Sequence, residues 1–375
     1  MKADLPLWME VDLEALRRNI RTLKSHLGPH TRLLAVVKAN GYGHGDVPVA
    51  LAAIEAGAEW LGIARVQEGA SLRRAGITTP ILLLAEPPLG AVEEAVELGL
   101  VPTIYTAEIA RTFSEKAVDD GRTIPVHLKV DTGMHRYGVV PEAAGEMVDL
   151  IESLDGLELE GLWSHFAVAE EVDNPATRRQ YESFLALVES LGPRGRGRTK
   201  HLANSAAILT FPESHLDLVR AGIAIYGIYP SPDLSDRTVL EPVMSLKSRV
   251  GLTKRLPAGE PISYGQRYTT PREATIATIP VGYADGLPRS LTNRGEVLIG
   301  GRRYRISGAV TMDHFLVDVG DDDVKAGDEV VILGRQGSEE ITAQEIAERL
   351  GTIAYEVVCG VSARVERIYL EDASS

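Results

Sequence analysis

Two hydrophobic patterns follow one another along this chain. Up to about residue 240, short runs rich in valine, isoleucine and leucine alternate with segments whose apolar residues recur at helical spacing. Continuous apolar runs are typical of parallel strands that are buried on both faces. The predicted strands are Leu33–Lys38, Trp60–Ala64, Ile81–Ala85, Val101–Tyr105, Val126–Asp131, Leu159–His165, Lys200–Asn204 and Leu218–Gly227. About eight strand–helix units predict a closed (β/α)8 barrel of the TIM type.

The pattern changes near Thr238. From Pro242 onward, apolar and polar residues alternate and glycines mark turns, which predicts a second, mostly β domain. Its predicted elements include strands Val297–Ile299, Tyr304–Ile306, Phe315–Val319 and Glu329–Leu333 and one helix, Ala343–Leu350. We therefore expect a barrel domain over residues 12–238, introduced by a helix that Asp12 caps, and a β domain over residues 239–375.

Composition and charge narrow the class of protein. The 375 residues are 44% hydrophobic and 25% charged, which excludes a mainly disordered chain, a collagen and a coiled coil. No apolar run approaches the roughly 18 residues that span a bilayer, and the N-terminus lacks the apolar core of a signal peptide. A net charge of −14 disfavours nucleic acid and anionic membranes, so the expected partner is a small molecule. The single cysteine, Cys359, forbids an internal disulfide, which fits a reducing cytoplasm.

Candidate chemistry begins at the end of the first predicted barrel strand. Lys38 closes an apolar run and is followed by Ala39-Asn40-Gly41-Tyr42-Gly43-His44-Gly45. A lysine at this place is partly desolvated, which favours the neutral amine and hence Schiff-base chemistry. The glycines allow the backbone to approach a ligand closely. A lysine that merely extends its head group to solvent explains this segment equally well.

Other polar residues follow the later strands, at the barrel end where active sites form. They are Lys129, Asp131, Arg136, His165, His201, Asn204, Ser205 and Arg220. Taken singly, each histidine or arginine could be a satisfied core residue, but their shared position favours a site. Ser205 and the amides of Gly222 and Ile223 follow strands seven and eight, where barrels often hold a phosphate. A Schiff-base lysine with a phosphate site leaves two classes open: a lysine aldolase, or an enzyme that uses pyridoxal 5′-phosphate (PLP).

The β domain favours the second class. It carries Ser263-Tyr264-Gly265, Gly282-Tyr283-Ala284-Asp285-Gly286 and Met312-Asp313 in loops. An aldolase barrel needs no such domain. Tyrosines in glycine-bearing loops indicate a surface that meets a ligand.

With these motifs, nearly the whole chain resembles alanine racemase, a fold-type III PLP enzyme. The most specific part is Ala35–Gly45, which matches the family's cofactor-lysine signature. Lys129–Arg136, Asn204–Ala207 and Arg220–Ile223 match as well, together with the β-domain motifs above. The resemblance implies that residues 1–11 join the β domain, which completes the active site of the partner subunit in a homodimer. The implied reaction interconverts L-alanine and D-alanine, which supplies peptidoglycan synthesis.

The resemblance also implies a role for each matching residue. Lys38 would hold PLP and be one catalytic base, and Tyr264 of the other subunit would be the second. The cofactor would further contact Tyr42, His165, Asn204, Ser205, Arg220, Gly222, Ile223 and Tyr355. Arg220 would face the pyridine nitrogen. Arg136, Tyr283 and Met312 would bind the substrate, N-carboxylated Lys129 would steady Arg136, and no metal is implied.

One position departs from the family pattern, and related functions stay open. Ala309 stands where the family usually has an arginine in the channel to the site, which puts carboxylate steering in doubt unless Arg289 compensates. A racemase of broader specificity, including serine, would share every motif. An amino-acid decarboxylase of the same fold type would use a Cys-Asp pair, whereas Cys359 precedes Gly360. A barrel-only PLP-carrying protein would lack the β domain with Tyr264.

Overall fold

The structure is a computed structural model that describes residues 5–371. The chain forms two compact units. One consists of residues 16–41 and 46–241, and the other, within the described range, of residues 5–15, 42–45 and 242–371. Of the predicted segments, residues 1–4 and 372–375 lie outside the described residues. Over the described range, no helix has the length and apolar character needed to cross a membrane.

The first unit is built on eight parallel strands. They are β2 (Arg32–Val36), β3 (Trp60–Ile63), β4 (Ile81–Leu83), β5 (Thr103–Ile104), β6 (Ile124–Lys129), β7 (Leu157–Trp163), β8 (Thr199–His201) and β9 (Leu218–Ala221). Hydrogen bonding orders them as β4-β3-β2-β9 and β5-β6-β7-β8. A parallel bridge between Leu82 and Val101 joins β4 to β5, and the bond from Arg220 N to Ala203 O joins the segments of β8 and β9. The strands therefore close into the predicted barrel.

Helix α1 (Leu13–Ser25) precedes β2, and helices follow most of the eight strands, as the alternating pattern predicts. The helices that follow them are α2 (Asp46–Glu55), α3 (Val66–Arg74), α4 (Val92–Glu97), α5 (Ala107–Asp119), α6 (Pro141–Ser153), α7 (Pro175–Ser190), α8 (Pro193–Arg196) and α9 (Ser205–Thr210). In α1 the apolar spacing buries Leu16, Ile20 and Leu23, because residues three or four apart share a helix face. The Asp12 carboxylate accepts a hydrogen bond from Ala15 N at 2.8 Å, so the predicted cap is present.

The second unit contains the β domain. Its strands are β1 (Leu7–Asp12), β10 (Met244–Arg249), β11 (Leu252–Leu256), β12 (Pro261–Ile262), β13 (Tyr268–Thr269), β14 (Ala274–Ile279), β15 (Glu296–Ile299), β16 (Arg302–Arg305), β17 (Phe315–Gly320), β18 (Glu329–Gln336), β19 (Glu339–Ile341) and β20 (Glu366–Leu370). One sheet has the order β16-β15-β18-β10-β1-β20, with β19 paired to β18. A three-stranded sheet, β11-β14-β17, and the hairpin β12-β13 complete the unit's strands over the described residues. Strand β1 lies between β10, which is antiparallel to it, and β20, which is parallel.

Several details differ from the sequence-based expectation. Strand β9 ends at Ala221, and Ile223–Tyr226, predicted to continue that strand, form a 3-10 helix. The described part of the second unit has two α-helices, α10 (Ala343–Leu350) and α11 (Ala354–Cys359), where one was predicted. A helix of six residues is too short to produce a clear apolar period. In the barrel, β2 ends at Val36, so Lys38 follows the strand and does not belong to it.

Candidate active site

Lys38 opens a left-handed turn of the backbone. The four residues after it have positive φ: 53° at Ala39, 54° at Asn40, 59° at Gly41 and 51° at Tyr42. A non-glycine residue in this region costs on the order of 1–3 kcal/mol, and such strain concentrates at functional sites. The turn is held by the bond from Gly41 N to Val37 O at 2.9 Å and by the Glu68 carboxylate, which accepts from Ala39 N at 2.7 Å. The barrel therefore holds the backbone that carries Lys38 in a set conformation.

Arg220 lies on the strand next to the one that leads to Lys38. Strands β2 and β9 pair in parallel, with Leu34 opposite Arg220. The guanidinium is buried and donates to His201 Nδ1 at 3.0 Å, His165 Nδ1 at 2.9 Å, Ser164 O at 2.8 Å and Leu202 O at 3.1 Å. The guanidinium carbon, Cζ, lies 4.6 Å from the centroid of the Trp163 ring. Burial lowers the pKa of Arg220 to about 9, so the side chain stays charged at neutral pH.

Lys129 ends β6 among positive charges. Its Nζ lies 4.3 Å from the centroid of the Trp163 ring and 5.9 Å from that of Tyr137. Burial, followed by the charges of Arg136 and Arg220, lowers the pKa of Lys129 to about 7. A substantial fraction of this amine is therefore neutral, and nucleophilic, at physiological pH.

Arg136 lies in the exposed loop after β6. Asp131 organises this loop, because its Oδ1 accepts hydrogen bonds from the backbone N–H groups of Gly133, Met134 and His135, each at 3.0 Å. Burial works against the ionised carboxylate, but these bonds hold the pKa of Asp131 below its usual value. Arg136 thus projects from a loop whose backbone is fixed.

His165 packs against the same arginine. Burial is the first cause that moves the pKa of His165 well below its usual value, and the charge of Arg220 is the second. Because a guanidinium only donates hydrogen bonds, His165 Nδ1 must carry a lone pair. His165 is therefore a neutral imidazole with its proton on Nε2.

Ser205, Gly222 and Ile223 come together after strands β8 and β9. Ser205 Oγ accepts from Gly222 N at 2.8 Å and from Ala224 N at 3.4 Å, so its own hydrogen is directed elsewhere and can be donated. Asn204 caps α9 through a bond from Ala207 N to its Oδ1 at 3.0 Å. Asn204 thus has a structural task in this turn.

The second unit contains the remaining predicted site residues. Tyr42 and Tyr355 have ring centroids 6.2 Å apart. Burial, followed by Tyr355 and Cys359, raises the pKa of Tyr42, so its phenol stays protonated. The approach of this loop to α11 requires Gly43, since a Cβ there would lie 2.3 Å from Val358 O.

Tyr264, Tyr283 and Met312 are exposed in this chain, at 76%, 43% and 53% of their surfaces. The loops of Tyr283 and Met312 are tied together by a bond from Ala284 N to Met312 O at 3.0 Å. Tyr264 and Ala309 both line a cavity of about 490 Å³. Large apolar side chains exposed together mark an interaction surface.

Several residues that interact with this site were missed by the sequence analysis, among them His127, Glu160 and Gly161. His127 Nδ1 lies 2.8 Å from His201 Nε2, and His127 Nε2 lies 3.5 Å from Glu160 Oε2. The sequence offered one signal for His127: it precedes Lys129 by two residues, so both side chains lie on the same face of their strand. Glu160 offered none, since it is one of many carboxylates.

The chain contains a (β/α)8 barrel, with the left-handed turn of Lys38 at one strand end, and a β domain with exposed tyrosines. These features define a two-domain barrel enzyme. Two family profiles match the chain: alanine racemase, N-terminal domain, over residues 11–230, and alanine racemase, C-terminal domain, over residues 243–369. The chain belongs to the alanine racemase family and is an isomerase.

Individual proteins agree with this assignment. An alanine racemase of Symbiobacterium thermophilum is 51% identical over 97% of both chains. The crystal structure of alanine racemase from D-cycloserine-producing Streptomyces lavendulae is 41% identical and has a TM-score of 0.92, covering 98% of this chain and 97% of the other. An alanine racemase from Bartonella henselae with covalently bound pyridoxal phosphate is 29% identical, with a TM-score of 0.86 over 98% of this chain and 100% of the other. The resemblance and the fold class inferred from the sequence are confirmed.

Proposed function

We propose that this chain uses pyridoxal 5′-phosphate to interconvert L-alanine and D-alanine with two bases, Lys38 and Tyr264. The observation that carries the proposal is the pairing of β2 with β9, which puts the Lys38 turn and the buried Arg220 at neighbouring strand ends. The relatives are racemases of alanine by name, and one of them carries the cofactor covalently.

The residues of the barrel fit this cofactor chemically. Lys38 would hold it, and the donatable Ser205 hydroxyl, with the backbone of Gly222 and Ile223, would bind its phosphate. The phenols of Tyr42 and Tyr355 would add donors to that phosphate. Arg220 and His165 would stand at the ring nitrogen, with Asn204 shaping the phosphate turn. Because Arg220 only donates hydrogen bonds, it would leave that nitrogen unprotonated.

Bound pyridoxal phosphate would act as an electron sink for the charge at the substrate α-carbon. The protein must then remove a proton from one face and return one to the other. Lys38 would work on one face, and Tyr264 of the partner subunit on the other, so neither base moves between faces. The Arg136 guanidinium would hold the substrate carboxylate, and Tyr283 and Met312 would limit the side-chain pocket.

The homodimer is part of this proposal. The exposure of Tyr264, Tyr283 and Met312 supports it, because a completed site would cover these side chains. The supply of D-alanine for peptidoglycan and a place in the cytoplasm are further parts of the same proposal.

Lys129 is proposed to be N-carboxylated. Its neutral amine would attack carbon dioxide, forming an N–C bond and releasing one proton. The product is an anion, which the charges of Arg136 and Arg220 favour where they disfavour the ammonium. This anion would steady Arg136.

The deciding experiment is a racemisation assay on the purified holoenzyme. L-alanine and L-serine are supplied separately, and the D-isomer is followed by chiral chromatography. D-alanine alone supports the proposal, whereas equal rates with both substrates would replace it by a racemase of broader specificity. Loss of carbon dioxide from the substrate would identify a decarboxylase instead.

A further inference from the structure

A line of polar contacts leads from Arg220 through two buried histidines to Glu160 on β7. Arg220 Nη1 lies 3.0 Å from His201 Nδ1, His201 Nε2 lies 2.8 Å from His127 Nδ1, and His127 Nε2 lies 3.5 Å from Glu160 Oε2. Both imidazoles are fully buried, while the Glu160 side chain is 31% exposed. The four side chains come from β9, β8, β6 and β7.

The donor inventory allows one arrangement of protons along this line. Arg220 can only donate, so His201 Nδ1 accepts and the proton of a neutral His201 lies on Nε2. That N–H donates to His127 Nδ1. The proton of His127 is then on Nε2, a buried atom that makes no regular hydrogen bond. It lies 3.5 Å from Glu160 Oε2, so the negative charge of this carboxylate favours an N–H over a lone pair at that position.

Both rings stay neutral in this environment. Burial is the main cause that moves the pKa of His201 well below its usual value, and the charges of Arg220, His127 and Arg32 add to it. Burial also lowers the pKa of His127, where Arg32 and Arg220 oppose protonation and Glu160 favours it. The Trp163 ring stacks on His201, and the amine of Lys129 lies over that same ring as a further cationic group near the histidines. A second proton on either ring is thus disfavoured.

The packing around the rings leaves them little freedom. His201 stacks on Trp163 with ring centroids 5.4 Å apart and an interplanar angle of 9°. His127 lies against Gly161, where an added Cβ would come within 2.5 Å of Nδ1. The glycine at this position is what admits the imidazole.

We propose that Glu160 fixes the tautomers of His127 and His201, so that Arg220 meets only a hydrogen-bond acceptor at His201. Glu160, His127 and His201 are positioning residues, and none of them needs to touch the substrate. A reversed line, with protons on both Nδ1 atoms, would point an N–H at the guanidinium and push Arg220 out of place. The consequence for catalysis rests on the proposed role of Arg220 at the pyridine nitrogen.

Proton positions test the proposal directly. Neutron diffraction from deuterated crystals of the holoenzyme at neutral pH should show deuterium on Nε2 and none on Nδ1 in both rings. Deuterium on Nδ1 of either ring would overturn the proposal. This measurement needs no variant and no turnover.

Variants of Glu160 separate its acceptor role from its charge. Glu160→Gln keeps an acceptor oxygen and should retain the wild-type tautomers, whereas Glu160→Lys removes the acceptor and should release them. In Glu160→Lys, transamination by-product per racemisation turnover should rise roughly tenfold, the scale on which losing an outer hydrogen-bond partner acts at metal sites. Glu158→Lys, on the same strand, makes the same charge change and should leave the ratio as in the wild type.

The outcomes distinguish this inference from the role given to Arg220. If Arg220→Glu raises by-products but Glu160→Lys matches Glu158→Lys, the inference fails and the role of Arg220 stands. If Arg220→Glu forms no by-products, that role fails, and the neutron result alone decides on the tautomers. Should Glu160→Lys not fold, Glu160→Met also removes the acceptor, and a by-product ratio in Glu160→Met equal to that of the wild type would overturn the inference.

Discussion

Lys129 Nζ lies over the face of the Trp163 indole, 4.3 Å from the ring centroid, and still has a lowered pKa. An aromatic face stabilises an ammonium group by about 0.5–2 kcal/mol. Here desolvation and the charges of Arg136 and Arg220 outweigh that attraction, because they bring the pKa down to about 7. The contact therefore positions the amine without keeping it charged.

From this environment we expect Lys129 to be carboxylated. Holoenzyme equilibrated with 13C-bicarbonate should show a carbamate carbon signal that is absent in Lys129→Ala. Lys200→Ala is a suitable control and should keep the signal, since the Lys200 amine is already ion-paired with Asp217 at 2.7 Å. A carbamate signal that survives in Lys129→Ala would assign the modification to another residue.

The free energy of unfolding should depend on pH through Lys129. Between its folded-state pKa of about 7 and its ordinary value of 10.5, the unfolded chain binds more protons at Lys129 than the folded chain does. The free energy of unfolding therefore rises with pH in this window, by at most about 1.4 kcal/mol per pH unit.

Chemical denaturation in carbonate-free buffer at pH 7 and pH 8.5 measures this rise. Lys129→Met should show a smaller rise than the wild type. Arg220, whose pKa is about 9, begins to contribute near pH 8.5, but it is present in both proteins, so the difference between their slopes reports on Lys129. Equal slopes in the two proteins would contradict the lowered pKa of Lys129.

Lys38 should carry the cofactor. The protein supplied with PLP should be yellow, and borohydride should bleach the colour and attach a pyridoxyl group irreversibly to Lys38, as peptide mapping can establish. Lys129→Ala should be labelled at the same residue, which controls for the buried amine of Lys129. A label on any lysine but Lys38 would refute its assignment.

Replacing Arg220 should change the reaction that follows proton removal. Arg220→Glu puts an anion where the guanidinium was and raises the proton affinity of the ring nitrogen. Racemisation should fall, and transamination by-products should become detectable by mass spectrometry of the reaction mixture. Normal racemisation without by-products would mean that Arg220 does not contact the ring.

The two proposed bases should come from different subunits. Lys38→Ala and Tyr264→Phe should each be nearly inactive, because a general base contributes about 10²–10⁴-fold. Mixed and allowed to exchange subunits, the two variants form hybrid dimers with one intact and one doubly altered site. With statistical exchange, about a quarter of the wild-type activity should return. If activity stays absent although exchange is proven by mass spectrometry, both bases belong to one chain.

Local patterns were sufficient for the fold class and for the lysine turn. Alternating apolar runs and helical spacing reflect burial within single elements, so the barrel could be predicted from them. The signature after Ala35 pointed to Lys38 and to the family. The helix that carries Tyr355 was missed, because its six residues contain too little periodic signal.

The electrostatics of the site depended on the tertiary structure. Burial, followed by the charges of Arg136 and Arg220, lowers the pKa of Lys129, and these two arginines lie far from each other in the sequence. The line from Arg220 through His201 and His127 to Glu160 joins four strands, and no local spacing encodes it. Desolvation and Coulomb interactions act through space, so they exist only once barrel closure has brought these strands together. The sequence by itself thus determined which groups are available, and the closed barrel decided which of them are charged.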